Sequence, residues 1–147
     1  MKTDVNYARQ GKLNRARGAR FELRVREEMK KTGFILDKWT NNVDLIKQEV
    51  VPAKRKYNPF KKMLVVGTGF PDFIGIKKLV EGDYDVIGIE VKLNGSLSQE
   101  EKLKCKFYLQ NKIFSKIFIA RAVKEGRKIE VEIVDFFEKY KKKYDAL

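Results

Sequence analysis

The sequence predicts a mixed α/β domain, one central sheet with helices packed on it. Three observations predict it. Phe21, Val25 and Met29 recur at four-residue intervals, the spacing of one helix face. Two runs rich in Ile, Val and Phe, DFIGIKK and YDVIGIEVKL, flank LVEGD, which is the pattern of a β-hairpin with a loop longer than the tightest turns. Ser98, followed three residues later by Glu101, gives the S-x-x-E pattern of a capping box at a helix start.

The elements follow in order. Residues 1–16 are polar and basic without periodicity and read as an arm or a frayed helix start. Residues 17–32 read as a helix, stopped by Gly33. FILDKWT at 34–40 reads as a strand, and VDLIKQEVV at 43–51 as a second strand or its continuation. PAKRKYNPFKK at 52–62, with two prolines and five Lys/Arg, reads as a basic loop, and MLVVGTGF as a short strand entering a glycine-rich turn. Beyond the hairpin a helix is expected from Ser98 to about Lys112, with Leu103, Phe107 and Phe114 turned inward. SKIFIARAV and KIEVEIV read as strands around the turn KEGR. DFFEKYKKKY reads as an amphipathic helix with Phe137, Tyr140 and Tyr144 nearly on one side. The 147 residues amount to one domain, 1–147, with no internal repeat.

Composition narrows the chemistry. The chain contains no histidine, which excludes an imidazole base and imidazole metal ligands; carboxylates and lysine must do any catalytic work. A single cysteine, Cys105, forms no internal disulfide and no cysteine-rich zinc site, and reads as a helix packing residue. MKTDVNYARQGK lacks a signal-peptide core and no apolar run approaches a membrane span, so a cytoplasmic protein without a membrane partner is expected. The net charge of +13 points to a polyanionic partner. Residues 71–97 alone are net negative, with three Lys/Arg against five Asp/Glu, and basic segments enclose them. A bound cation would reconcile an anionic ligand with those carboxylates.

The hairpin is where chemistry is expected. Side chains alternate along a strand, so Glu90 and Lys92 share one face while Ile87, Ile89 and Val91 take the other. A turn near Glu81–Gly82 brings Asp72 opposite Glu90 or Lys92, at a cross-strand Cβ spacing of about 4.5–5.5 Å. Gly88 would leave space on that face. Two such carboxylates require a shared proton or a neighbouring positive charge. Lys92 supplies part of it, and Mg²⁺, which prefers carboxylate oxygen, would supply more. Mg²⁺ or Mn²⁺ there would suit hydrolysis of a phosphodiester. Asp44 is a rival for the place of Asp72 but lacks a direct hairpin link to Glu90. Arg9, Lys12, Arg15, Arg17 and Arg20, together with Lys54, Arg55 and Lys56, are the expected phosphate contacts. Trp39 reads as a core residue.

Pro71-Asp72, followed on the next strand by Glu90-Val91-Lys92, resembles the PD-(D/E)XK nuclease superfamily. RARGARFELRVREEMKKTGF resembles the G-x-x-x-E helix of archaeal Holliday junction resolvases, with Gly18 and Glu22 in the motif positions. EVKLNGSLSQEEK resembles the segment after the catalytic lysine in virus-type replication-repair nucleases. The resemblance spans roughly residues 15–121. It implies a restriction-endonuclease-like fold with Asp72, Glu90 and the Val91 carbonyl as metal ligands. It further implies Lys92 as catalytic lysine, Glu22 as a further acid, and branched or duplex DNA as substrate. A homodimer is expected for cutting two strands. The chain departs from the pattern where relatives often carry a glutamine: Gln99-Glu100-Glu101 stands there, and Glu101 reads as the capping residue. The basic loop 52–62 reads as an insertion. The expected function is a metal-dependent, structure-selective DNA endonuclease. The alternatives are a catalytically inactive nucleic-acid-binding protein of the same fold and a replication-repair end or flap nuclease.

Overall fold

In the computed structural model the chain is described over residues 2–66 and 69–147, without the side chains of 2–5, 56, 58 and 64–66. Helix α1 runs over Lys2–Lys31, so the expected N-terminal arm is helical and continuous with the predicted helix. Periodicity does not show this half because its described side chains bury no face: from residue 6 to residue 20 every side chain other than the two glycines is exposed. Phe21, Val25 and Met29 are buried as their spacing predicts, and Gly33, at φ 93°, turns the chain.

Strand β1, Ile35–Lys38, is the edge of a five-stranded sheet. The next residues leave that sheet. The strand expected at 43–51 is two strands, β2 (Asn41–Asp44) and β3 (Glu49–Pro52), paired with each other. Asp44 explains the reversal: its Oδ1 accepts from the backbone N–H groups of Ile46 and Lys47, both at 3.0 Å, and Gln48 follows at φ 55°. These bonds hold the Asp44 carboxyl below its ordinary range and make Asp44 a turn residue. The expected basic loop is also ordered as a ribbon, with β4 (Arg55–Asn58) pairing with β5 (Met63–Val66). The Gly-Thr pair at 67–68, part of the expected glycine-rich turn, lies outside the described residues.

The central hairpin is β6 (Phe73–Lys78) and β7 (Tyr84–Val91), antiparallel, with Phe73 opposite Ile89. Its loop, 79–83, closes with Leu79 N–H donating to Asp83 and Asp83 N–H to Val80, and Gly82 sits at φ 89°. Helix α2, Gln99–Gln110, then carries the chain across to β8, Lys116–Glu125, which pairs parallel to β7. Such a pairing needs a crossover of this kind. Strand β9, Lys128–Asp135, completes the order β1-β6-β7-β8-β9. The chain ends with helix α3, Phe136–Tyr140, and a 3₁₀ turn over Lys141–Ala146. Phe136, rather than Phe137, is the buried aromatic there, with Tyr140 and Tyr144 packed against it.

The sheet therefore has two covered faces. On one, Ile87 and Ile89 pack with Phe73 against Phe21, Val25 and Met29 of α1. On the other, Cys105, Phe107 and Tyr108 of α2 pack with Phe114, Ile117, Ile119 and Phe136. Among the described residues no helix is long and apolar enough to cross a membrane.

Candidate functional site

The hairpin register brings the two acids together. Asp72 precedes β6 by one residue and continues the ladder opposite Glu90. Each carboxylate reaches the other strand's backbone: Asp72 N–H donates to Glu90 Oε2 at 3.1 Å, and Val91 N–H donates to Asp72 Oδ2 at 2.9 Å. Each side chain thus takes the place of a ladder carbonyl and is fixed by it. The expected alternation of faces holds. Ile87, Ile89 and Val91 face α1, while Gly88 meets Pro71 and Phe114 and Lys92 reaches α2. The space expected at Gly88 is filled, since a Cβ there would lie 2.8 Å from Pro71 Cγ and 3.2 Å from Phe114. Glycine at 88 lets Pro71, and with it Asp72, lie against β7.

The segment before Asp72 is pinned from below. Tyr108 O–H donates to the Phe70 carbonyl at 2.6 Å and accepts from Trp39 Nε1 at 3.0 Å. Trp39 N–H donates to the Asp72 carbonyl at 3.1 Å. Trp39 is a packing residue, as its sequence context suggests, and it is also part of this support. Gly69 is required by close approach: a Cβ would stand 2.2 Å from the Trp39 carbonyl oxygen. The Tyr108 contribution was not legible in the sequence, because only the fold brings residues 39, 70 and 108 together.

Glu90 is the buried charged side chain of the described core, 5% exposed. Burial, and then the neighbouring Asp72 charge, push its carboxyl up to about 8. Burial likewise raises Asp72, against the Val91 N–H bond, the bond shared with Glu90 and the charge of Lys92. Lys92 Nζ stands 3.5 Å from Glu90 Oε1 and 2.6 Å from Glu101 Oε1. Burial opposes its charge, but the hydrogen bond to Glu101 and the two nearby carboxylates outweigh it and raise the ammonium's ionisation. Lys92 is held protonated between two acids.

Glu101 does two things at once. Its Oε2 accepts from Ser98 N–H at 2.8 Å while its own N–H donates to Ser98 Oγ at 3.2 Å, completing the capping box. Its Oε1 holds Lys92. The cap was legible in S-x-x-E; the link to Lys92 was not, because it joins α2 to β7. Glu22 lies on α1 at the mouth of the site. Burial, and then the charge of Asp72, raise its carboxyl, against Lys38 and Arg26. With Gly18 it lines a cleft of about 370 Å³ whose other wall is residues 91–94.

Arg9, Lys12, Arg15, Arg17 and Arg20 are exposed along α1. Lys54 is exposed beside a second cleft, of about 520 Å³, between the β2–β3 hairpin and the Glu100 and Lys104 side of α2. Arg55 is exposed at the start of β4, and the Lys56 side chain lies outside those described. Cys105 is buried, its thiol pushed well above the ordinary range by burial.

Among the described residues no three His, Cys, Asp or Glu side chains converge as a ready-made metal cage. Two carboxylates from adjacent strands do converge, and Mg²⁺ is commonly held by one or two carboxylates together with water and substrate phosphate. A buried Glu90 beside Asp72, short of compensating charge, is an all-oxygen donor set that fits a hard divalent cation. Compared with models of known protein families, with curated proteins and with solved structures, the chain matches none.

Proposed function

We propose that this chain is a Mg²⁺- or Mn²⁺-dependent deoxyribonuclease that hydrolyses phosphodiester bonds, a structure-selective endonuclease of the PD-(D/E)XK kind. The observation that carries the reading is the Asp72–Glu90 pair, two carboxylates fixed to each other's strands with Lys92 on the same face. Asp72, Glu90 and the Val91 carbonyl would hold the cation. When bound, the cation would polarise the phosphate and favour a hydroxide nucleophile at neutral pH. The chain's own groups do the rest. Lys92, held protonated by Glu101 and Glu90, donates hydrogen bonds toward the phosphoryl oxygens and lowers the cost of their developing charge. Glu22, at the cleft wall, accepts from an incoming water and orients it. The exposed arginines of α1, with Lys54 and Arg55, neutralise the DNA backbone on either side. Cutting both strands of a branched or duplex DNA calls for a homodimer, and sedimentation on junction DNA tests that.

The net charge of +13 also suits a protein of this fold that binds nucleic acid without cutting it. Lys92→Ala and Glu90→Ala separate the two. Hydrolysis requires cleavage of labelled DNA to fall at least about 100-fold in either variant, the scale of losing one transition-state charge contact, while affinity stays near wild type. Wild type and variants that bind alike and never cut with Mg²⁺ or Mn²⁺ would establish the binding protein instead.

A further inference from the structure

Among the described residues, the side chains of residues 6–20 on α1 pack against nothing: apart from Gly11 and Gly18 all are exposed. Residues 6–20 carry five Lys/Arg and no Asp/Glu, and among the described residues none of these five forms an ion pair. Nothing stands within 4 Å of where a Cβ would be at Gly11 or Gly18. A solvated helix of this length with two glycines and mutually repelling cations is marginal in water. A polyanion would complement it.

The arrangement of the cations says which polyanion. At about 100° per residue, Arg9, Leu13, Ala16 and Arg20 share one line along the helix, roughly opposite the buried line of Phe21, Val25 and Met29. Lys12 and Arg17 lie about 70° to either side of that line, and Arg15 lies further round on the Lys12 side, toward the buried line. A helix about 10–12 Å across fits the major groove of B-form DNA, about 12 Å wide, whose two walls are phosphate backbones. Cations on both flanks meet both walls, and the line between them meets the base edges. Arg15 and Glu22 lie on the same flank, about 10 Å apart along the axis. The strand gripped by Arg15 therefore continues toward the cleft formed by Glu22, Gly18 and residues 91–94.

We infer that the N-terminal half of α1 seats in the major groove of a B-form duplex flanking the site, with Lys12 and Arg15 on one wall and Arg17 on the other. The inference rests on the DNA reading above and adds to it the form of nucleic acid and the groove. A-form RNA duplex has a deep, narrow major groove that does not admit a helix.

The test is binding of the full chain, in EDTA, to a short DNA duplex and to RNA duplex of the same sequence, read by fluorescence anisotropy over a salt series. DNA is expected to bind at least about tenfold tighter. Arg15→Gln with Arg17→Gln is expected to lower the salt slope for DNA by about two. Methyl green, a major-groove ligand, displaces the protein, whereas distamycin, a minor-groove ligand, does not. Equal affinity for DNA and RNA, or indifference to methyl green, overturns the inference; the dye competition uses wild type and so is independent of any variant's folding. Cleavage is not read. A chain that docks this way and never cuts sinks the hydrolytic reading alone, and a chain that cuts but binds both duplexes alike sinks the groove alone.

Discussion

Replacing Glu90 by glutamine should stabilise the metal-free protein at alkaline pH. The Glu90 carboxyl is buried and ionises at about 8, against 4.5 ordinarily. Between those values the folded state keeps a proton that the unfolded chain has released, so stability falls as pH rises through the window. Asp72, raised by burial, acts in the same direction. A displacement of that size corresponds to at most about 5 kcal/mol, and sharing of the proton with Asp72 and relaxation around the pair reduce the expected effect to about 2–3 kcal/mol. The glutamine amide keeps an oxygen for the Asp72 N–H, now at 3.1 Å from Glu90 Oε2, and has no charge to desolvate. Urea unfolding in EDTA, followed by fluorescence of Trp39, reads it at intervals from pH 5 to 8. Wild type should lose more stability across the range than Glu90→Gln, which keeps only the shallower fall owed to Asp72, the two being equal near pH 5. Mg²⁺ or Mn²⁺ at pH 8 should restore wild type and leave the variant unmoved. A level wild-type profile, or a variant less stable than wild type at pH 8, would mean that Glu90 carries no buried charge that opposes folding.

Further substitutions probe how the site is held. Glu101→Ala removes one bond of the capping box and the closest partner of Lys92; it should cost about 1–2 kcal/mol in urea unfolding and slow cleavage, while Glu101→Gln keeps most of the stability. Gly88→Ala forces a methyl to within 2.8 Å of Pro71 and 3.2 Å of Phe114. It should cost about 1–3 kcal/mol by thermal unfolding and displace Asp72, so that activity falls further than stability explains.

What could be read from the sequence was what strand geometry dictates locally. Strand periodicity and the LVEGD loop were enough to bring Asp72 to Glu90 or Lys92 and to put Glu90 and Lys92 on one face; the register, with Phe73 opposite Ile89, selects Glu90. The capping box at Ser98 and Glu101 was equally local. The two ribbons were not legible, because the β2–β3 turn is made by Asp44 and Gln48 without glycine or proline, and the charge of residues 54–62 masks strand character. The helix before residue 17 was silent because its described side chains, from residue 6 on, offer no buried face to imprint a period. The grip of Glu101 on Lys92, and the support from Tyr108 through Phe70 and Trp39, exist only once α2 lies on the sheet.

Asp72, Glu90 and Lys92 are proposed to form a cation-dependent hydrolytic centre. Its most direct test is to incubate the purified wild-type chain with end-labelled junction, flap, duplex and single-stranded DNA, in Mg²⁺, in Mn²⁺ and in EDTA. Discrete cleavage of at least one structured DNA is expected in either metal, and none in EDTA. Intact DNA under every condition, or cleavage that EDTA does not abolish, would contradict it.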